Sequence, residues 1–321
     1  MGLTAYQFVS VQEPRLTVRM ARATSADAVV ILDLEDSLWD VTDESRTAGL
    51  KAAGRDHLLT IAADNAALFG QQRIGVRVNR MGTAEAGLDL EALAAASRYV
   101  AFETVIATKV ETQHDLARWR EALGVHRVAY RELVPIVETV SGLANLRPLL
   151  AAAERMGIRN VVYGHYDFAL DAGWWPFPEH DEARFWEHVE PLIRRFDEAR
   201  MGWVHPPFFH LYDDERFGSI LGRLAAVCRR DFGVITLGRR QTTLVSAFDA
   251  ATAERPGPAG KGRSGRDPAS LARDVVETFL ANKRPTTSFA VDGRSGAFIS
   301  PHVYLAARAF LERLEEGRAI A

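Results

Sequence analysis

Cysteine is all but missing: Cys228 is the only one in 321 residues. No disulfide can close within the chain and no cysteine-based zinc cluster can form, so a reducing, cytoplasmic setting is expected, with Cys228 as a small buried residue. An excess of charge of one sign is also missing. Lysine plus arginine total 39 against 42 Asp plus Glu, for a net charge of −3. The basic residues are scattered singly, which excludes the basic stripe of a nucleic-acid binder. No uninterrupted apolar run approaches the roughly 18 residues that a bilayer span needs. The opening residues MGLTAYQFVSVQEPR contain no basic leader followed by an apolar core, so neither export nor a membrane partner is expected. What remains is ordinary globular material, 47% apolar and 25% charged, enough for a sizeable core.

Short apolar, β-rich runs alternate along the chain with longer helical stretches. Strands are expected at 6–11, 28–35, 74–79, 105–110, 133–138, 160–164, 203–208 and 232–237. Between them, 44–68, 88–98, 112–123, 143–156, 185–200 and 214–230 are long enough for crossover helices, with a kink or split expected at Pro148. Strands that read as continuous apolar runs imply a parallel sheet covered on its outer face. Eight of them predict an α/β fold, a closed (β/α)8 TIM barrel over residues 1–250. The Gly-, Pro- and Arg-rich stretch ERPGPAGKGRSGRDP then reads as a connector, over 251–268. A helix-strand-helix appendage over 269–321 is too small to own a core, so it must pack on the barrel or on a neighbouring subunit. A homo-oligomer, trimer or hexamer, is therefore expected.

The informative residues are ionisable ones on strands whose composition calls for burial. Asp33 and Glu35 lie two apart near the end of the second run, about 7 Å from each other along one face. Arg77, Lys109 and Glu138 end the third, fourth and fifth runs, and Asp167 follows the sixth. All of these are C-terminal ends, the face on which barrel active sites are assembled. Four acids against Arg77 and Lys109 leave two charges uncompensated. Such an excess either closes the barrel as an ion-pair ring or binds a cation. Carboxylates without cysteine point to a hard ion, Mg2+ or Mn2+.

At these residues the sequence resembles the citrate lyase β-subunit-like (CitE-like) branch of the HpcH/HpaI aldolase superfamily. The resemblance is carried by SADAVVILDLEDSL (25–38), IGVRVNRMGT (74–83), VIATKVET (105–112) and LVPIVETVSGL (133–143). VVYGHYDFALDAG (161–173) and FAVDGRSGAFISPHVYLAARAFL (289–311) extend it. It implies a lyase, a metal-dependent aldolase that cleaves an anionic 2-oxo or 3-hydroxy acid through an enolate. Glu138 and Asp167 would be the Mg2+ ligands, Arg77 the partner of a substrate carboxylate or enolate, and Glu35 and Asp36 proton-handling groups at the mouth.

The sequence also departs from the family. Thr4-Ala5-Tyr6-Gln7 stands where an Arg-Ser pair is usual, and Ser300 where members using coenzyme A thioesters tend to carry an acid. His205-Pro206 falls on the seventh strand, while Leu237-Gly238-Arg239-Arg240 ends the eighth. A diverged anionic substrate met by Arg239 or Arg240 is expected, with a citryl-CoA or malyl-CoA type of thioester lyase and a non-catalytic barrel subunit as alternatives. Lys109 either contacts substrate or balances Glu35 or Glu111. His165 and His205 are each a general acid or base, or a histidine hydrogen-bonded in place. The aromatic stretch from Trp174 to Phe177 and the Phe208-Phe209 pair form either a lid or a subunit contact.

Overall fold

The computed structural model describes residues 2–249, 266–284 and 287–317. Eight parallel strands close into a barrel in sequence order: β1 (Leu3–Ser10), β2 (Val29–Asp33), β3 (Arg73–Val78), β4 (Phe102–Ala107), β5 (Tyr130–Val137), β6 (Asn160–Tyr163), β7 (Gly202–His205) and β8 (Phe232–Thr236). Pairing of β1 with β8, Leu3 opposite Phe232, completes the ring and removes every sheet edge. The TIM barrel expected from the sequence is the fold.

The apolar runs divide between two layers. Alternate residues point into the lumen, where Tyr6, Ile31, Ile106, Val134, Ile136, Val162 and Ile235 fill the barrel. The others face the helices and form the larger layer, which includes Trp119, Phe102, Leu149, Phe196 and Phe217. Such strands are buried on both faces, which is why they read as unbroken apolar runs. Cys228 is buried and free.

Helices differ from expectation where a local residue overrides the pattern. The stretch 44–68 is divided into Thr47–Asp64 and Ala66–Gln71 by Asn65, whose backbone leaves the helical region at φ −129°. The break expected at Pro148 falls earlier, at Asn145, between helices Val140–Ala144 and Leu146–Arg155. Pro148 lies in the first turn of the second helix, where its missing N–H costs no hydrogen bond. Helices Pro14–Ala23 and Arg239–Ala247 complete the barrel without having been singled out in the sequence.

Beyond the barrel, helices Pro268–Asn282 and Pro301–Glu315 pack together, with Phe279 stacked on Tyr304 at 4.3 Å. A hairpin of Ala290–Val291 with Phe298–Ile299 lies between them. This piece sits on the C-terminal mouth of its own barrel: Phe298 N donates to Phe209 O at 2.8 Å, and Lys283 pairs with buried Asp40 at 3.0 Å. Trp175 donates from Nε1 to Pro268 O at 3.1 Å, so the Trp174 to Phe177 stretch meets the chain's own C-terminal helices. Residues 251–265 of the expected connector lie outside the described residues. Among the described residues no helix is long and apolar enough to cross a membrane.

Candidate metal centre at the barrel mouth

Asp33 closes β2 and turns the chain. Its Oδ1 accepts from Glu35 N at 3.0 Å and its Oδ2 from Ser37 N at 3.1 Å, which folds residues Asp36–Leu38 into a 3-10 turn over the mouth. Arg77 is Asp33's register partner on β3 and grips the same carboxylate with two parallel hydrogen bonds, Nε to Oδ1 at 2.7 Å and Nη2 to Oδ2 at 2.6 Å. Its Nη1 reaches Asp36 Oδ2 at 2.8 Å and Glu35 Oε2 at 3.1 Å. One guanidinium thus organises three acids. The fork that the family resemblance offers to a substrate carboxylate is filled by Asp33, so Arg77 is placed as an organiser of the acid cluster.

Lys109 follows β4 in the left-handed region, at φ 51°, a conformation costly for a residue with a side chain. The bend aims two groups into the mouth. Its backbone N donates to Glu138 Oε1 at 2.8 Å, and its ammonium reaches Glu35 Oε1 at 2.8 Å and Asp167 Oδ1 at 2.9 Å. Lys109 therefore contacts Glu35, as its charge-balancing reading requires, whereas Glu111 pairs with Arg80.

Glu138 directly follows β5 and is 2% exposed. Gly164, after β6, lets it fit: a Cβ there would come within 2.5 Å of both the Cβ and Oε2 of Glu138. Asp167 lies in the first turn of the helix that Gly164 opens, His165–Asp171.

His302, which the sequence reading passed over, closes the cluster from above. It opens helix Pro301–Glu315, which Ser300 caps by accepting from Val303 N at 3.3 Å. His302 Nε2 lies 3.1 Å from Asp167 Oδ1 and 3.7 Å from Asp36 Oδ1. The ligand atoms of Asp36, Asp167 and His302 all fall within 4.8 Å of one another. Only the SPH tripeptide at the helix start signalled it, and nothing in the sequence says where that helix docks.

Among the described residues the mouth thus holds five acids, Asp33, Glu35, Asp36, Glu138 and Asp167, against Arg77, Lys109 and His302. Burial opposes charge on His302, but Asp167 and Asp36 outweigh it and lift the imidazole to about 9. Burial likewise opposes the charge on Glu35 and Asp167. Lys109 and Arg77 nonetheless hold Glu35 down to about 2, and His302 with Lys109 holds Asp167 below the usual carboxylate range. Two carboxyls are left over. Burial and the charge of Glu35 push Asp36 up to about 7, and burial with the charge of Asp167 drives Glu138 far above its ordinary value. Each is pushed toward its neutral form by burial and a neighbouring carboxylate, and a cation between them and those neighbours would favour ionisation. The oxygen-only donor set of Glu138 and Asp167 suits a hard divalent ion such as Mg2+.

Two expectations are corrected by the structure. His165, offered as a general acid or base, is fully buried; its Nε2 meets Pro178 O at 3.1 Å and its Nδ1 the Tyr163 hydroxyl at 3.3 Å. Burial depresses its pKa to about 3, and both ring nitrogens already have protein partners. His205 is equally enclosed, between Trp203 Nε1 and His180 Nδ1, each at 3.3 Å. Arg239 and Arg240 are exposed at the start of helix Arg239–Ala247, and Arg240 pairs with Asp214 at 2.7 Å; the cavity wall includes Leu237 but neither arginine. The N-terminal turn of that helix carries them onto the outer surface.

No protein-family model matches the chain. Among curated proteins, the citrate lyase subunit beta-like protein of Mycobacterium tuberculosis is 33% identical over 155 residues, which is 48% of this chain and 46% of the relative. The chain thus spans about half the length of the curated relative it matches. The M. tuberculosis citrate lyase beta subunit complexed with oxaloacetate and magnesium aligns with a TM-score of 0.56 at 23% identity, covering 75% of this chain and 94% of that one. The protein CitE of M. tuberculosis in complex with magnesium, acetoacetate and coenzyme A gives 0.55 at 21% identity and covers 97% of each chain. The structural likenesses establish the shared barrel. Over the aligned 155 residues the chain is similar in sequence to a citrate lyase beta-like protein, in line with the resemblance read from its motifs.

Proposed function

We propose that the protein is a Mg2+-dependent carbon-carbon lyase or aldolase acting on an anionic 2-oxo or 3-hydroxy acid through an enolate, with Glu138 and Asp167 as metal-binding acids. One observation carries the reading: among the described residues five carboxylates face three cations at the barrel mouth, a deficit equal to the charge of one divalent ion. The structural neighbours complexed with magnesium together with oxaloacetate or acetoacetate support it.

A cation held there supplies Lewis acidity to the substrate's carbonyl oxygen, where negative charge develops as the carbon-carbon bond breaks. The chain's own groups do the rest. Arg77 fixes the turn that carries Glu35 and Asp36, and Lys109 and His302 hold Asp167 in place. Asp36 lines the cavity, with its carboxylate within 4.8 Å of the ligand atoms of Asp167 and His302. It is the group to take the proton from a substrate hydroxyl or to return one to the enolate carbon. The appendage helix that brings His302 covers the mouth and shields these charges from water.

The test is pyruvate release from a panel of 4-hydroxy-2-oxo acids, with Mg2+ and with EDTA. Metal-dependent release is expected. No release across the panel would favour a non-catalytic barrel subunit instead. The neighbour bound to coenzyme A motivates a thioester-lyase reading, and titration with acetyl-CoA decides it.

A further inference from the structure

The acid cluster forms only one side of its cavity. The space measures about 300 Å3, and its lining also includes the rings of Phe8, Tyr166, Phe209, Phe289 and Phe298. These rings come from β1, from the helix carrying Asp167, from the loop after β7 and from the C-terminal hairpin, so four separate segments converge to build one aromatic wall. Four of them are ordered against one another: Tyr166 and Phe209 stack at 3.8 Å with planes 6° apart, Phe209 meets Phe298 at 5.0 Å, and Phe298 stacks on Phe289 at 4.6 Å. Tyr166 is held from behind, its hydroxyl donating to Pro207 O at 3.0 Å. All five rings remain partly exposed to the cavity.

Charge points the same way. Among the described residues, the cations that line this cavity are committed to protein acids, Arg77 to Asp33, Glu35 and Asp36, and His302 to Asp167 and Asp36. A second substrate carboxylate would enter without a partner, at a cost of several kcal/mol for a buried unpaired charge. Size agrees as well. A cavity of about 150 Å3 accommodates a benzene ring, so the volume here exceeds what a three- or four-carbon acid fills.

We propose that the substrate is a monocarboxylate whose 2-oxo or 3-hydroxy end faces the acid cluster and whose remainder is an apolar, ring-sized body lying on the Tyr166–Phe209–Phe298 wall. This inference rests on the metal-centre reading for the orientation of the oxygenated end. The wall is an apolar, aromatic surface against which a ring can pack, and it offers little to a short dicarboxylate.

Isothermal titration of the Mg2+-loaded protein with phenylpyruvate, pyruvate and oxaloacetate tests it. Phenylpyruvate is expected to bind about tenfold or more tightly than either small acid, as burial of one ring implies. Phe209→Ala and Phe289→Ala are expected to erase that preference, with a far-ultraviolet circular dichroism spectrum equal to that of the unmodified protein certifying their folding. Pyruvate or oxaloacetate binding as tightly as phenylpyruvate to the unmodified protein overturns the proposal, as does the absence of binding by any of the three. Phenylpyruvate preference that survives EDTA and Glu138→Gln would leave the wall standing and sink the metal-centre reading instead.

Discussion

Arg77 and Asp33 are register partners at the ends of neighbouring strands, joined by two parallel hydrogen bonds of 2.7 and 2.6 Å. The pair is buried, with side-chain exposures of 12% and 5%, and Asp33 spends its remaining capacity on the backbone of the turn that carries Glu35 and Asp36. Replacing Arg77 by methionine removes the fork and leaves three acids facing one another. A loss of about 3–5 kcal/mol in urea unfolding is expected. Arg77→Lys should recover only part of it, because an ammonium cannot reproduce two parallel hydrogen bonds. Full recovery by lysine would mean that charge alone matters there.

Gly164 has no room for a side chain, since an added Cβ would meet Glu138 at 2.5 Å. Gly164→Ala should therefore displace the Glu138 carboxylate, weakening Mg2+ binding by about tenfold or more while far-ultraviolet circular dichroism stays that of the barrel. Metal affinity equal to that of the unmodified protein would place the ion away from Glu138.

Lys109 brings an ammonium between Glu35 and Asp167. Substituting methionine deepens the negative field of the mouth and removes a cation that competes for the same oxygens. Tighter Mg2+ binding is expected for Lys109→Met, by about tenfold, most clearly at low ionic strength. Weaker binding would show that losing the anchor on Asp167 outweighs the removal of a competing cation.

Behind β6 and β7 lie buried imidazoles that the chemistry does not use. Burial depresses His165 and His205 to about 3 and His180 well below the ordinary value. These groups take up protons on unfolding but not in the native state. Their contribution to stability is thus complete above the unfolded value near 6.5 and is lost as pH falls from there toward 3. Each steepens the decline by about 1.4 kcal/mol per pH unit. Urea midpoints measured from pH 7 to pH 4.5 should fall accordingly, and His205→Gln should flatten the slope; a pH-independent midpoint would contradict the enclosure of these rings.

Much of the fold and of the mouth is legible in the sequence. Parallel strands buried on both faces leave unbroken apolar runs, and charges interrupting those runs at their C-terminal ends marked the mouth through Asp33, Glu35, Arg77, Lys109, Glu138 and Asp167. What could not be read depended on long-range docking. His302 lies 135 positions beyond Asp167 in the chain, and neither helical period nor composition states that its helix folds back over the mouth. The same holds for Phe289 and Phe298, which look like surface hairpin residues until the hairpin meets Phe209. Arg77 was identified correctly as a charge at the mouth, but its partner, one strand away in register, decided what that charge does. His165 shows the converse, because a histidine beside a metal-site motif is indistinguishable in sequence from one locked between Tyr163 and Pro178.

The central claim is that the acid excess at the mouth binds a divalent cation through Glu138 and Asp167, and Glu138→Gln tests it most directly. This change keeps the shape and the Lys109 N–H contact while removing one charge. Isothermal titration with Mg2+ should give one site in the unmodified protein and affinity reduced by about a hundredfold or more in the variant. Equal Mg2+ affinity in the two proteins would contradict the account.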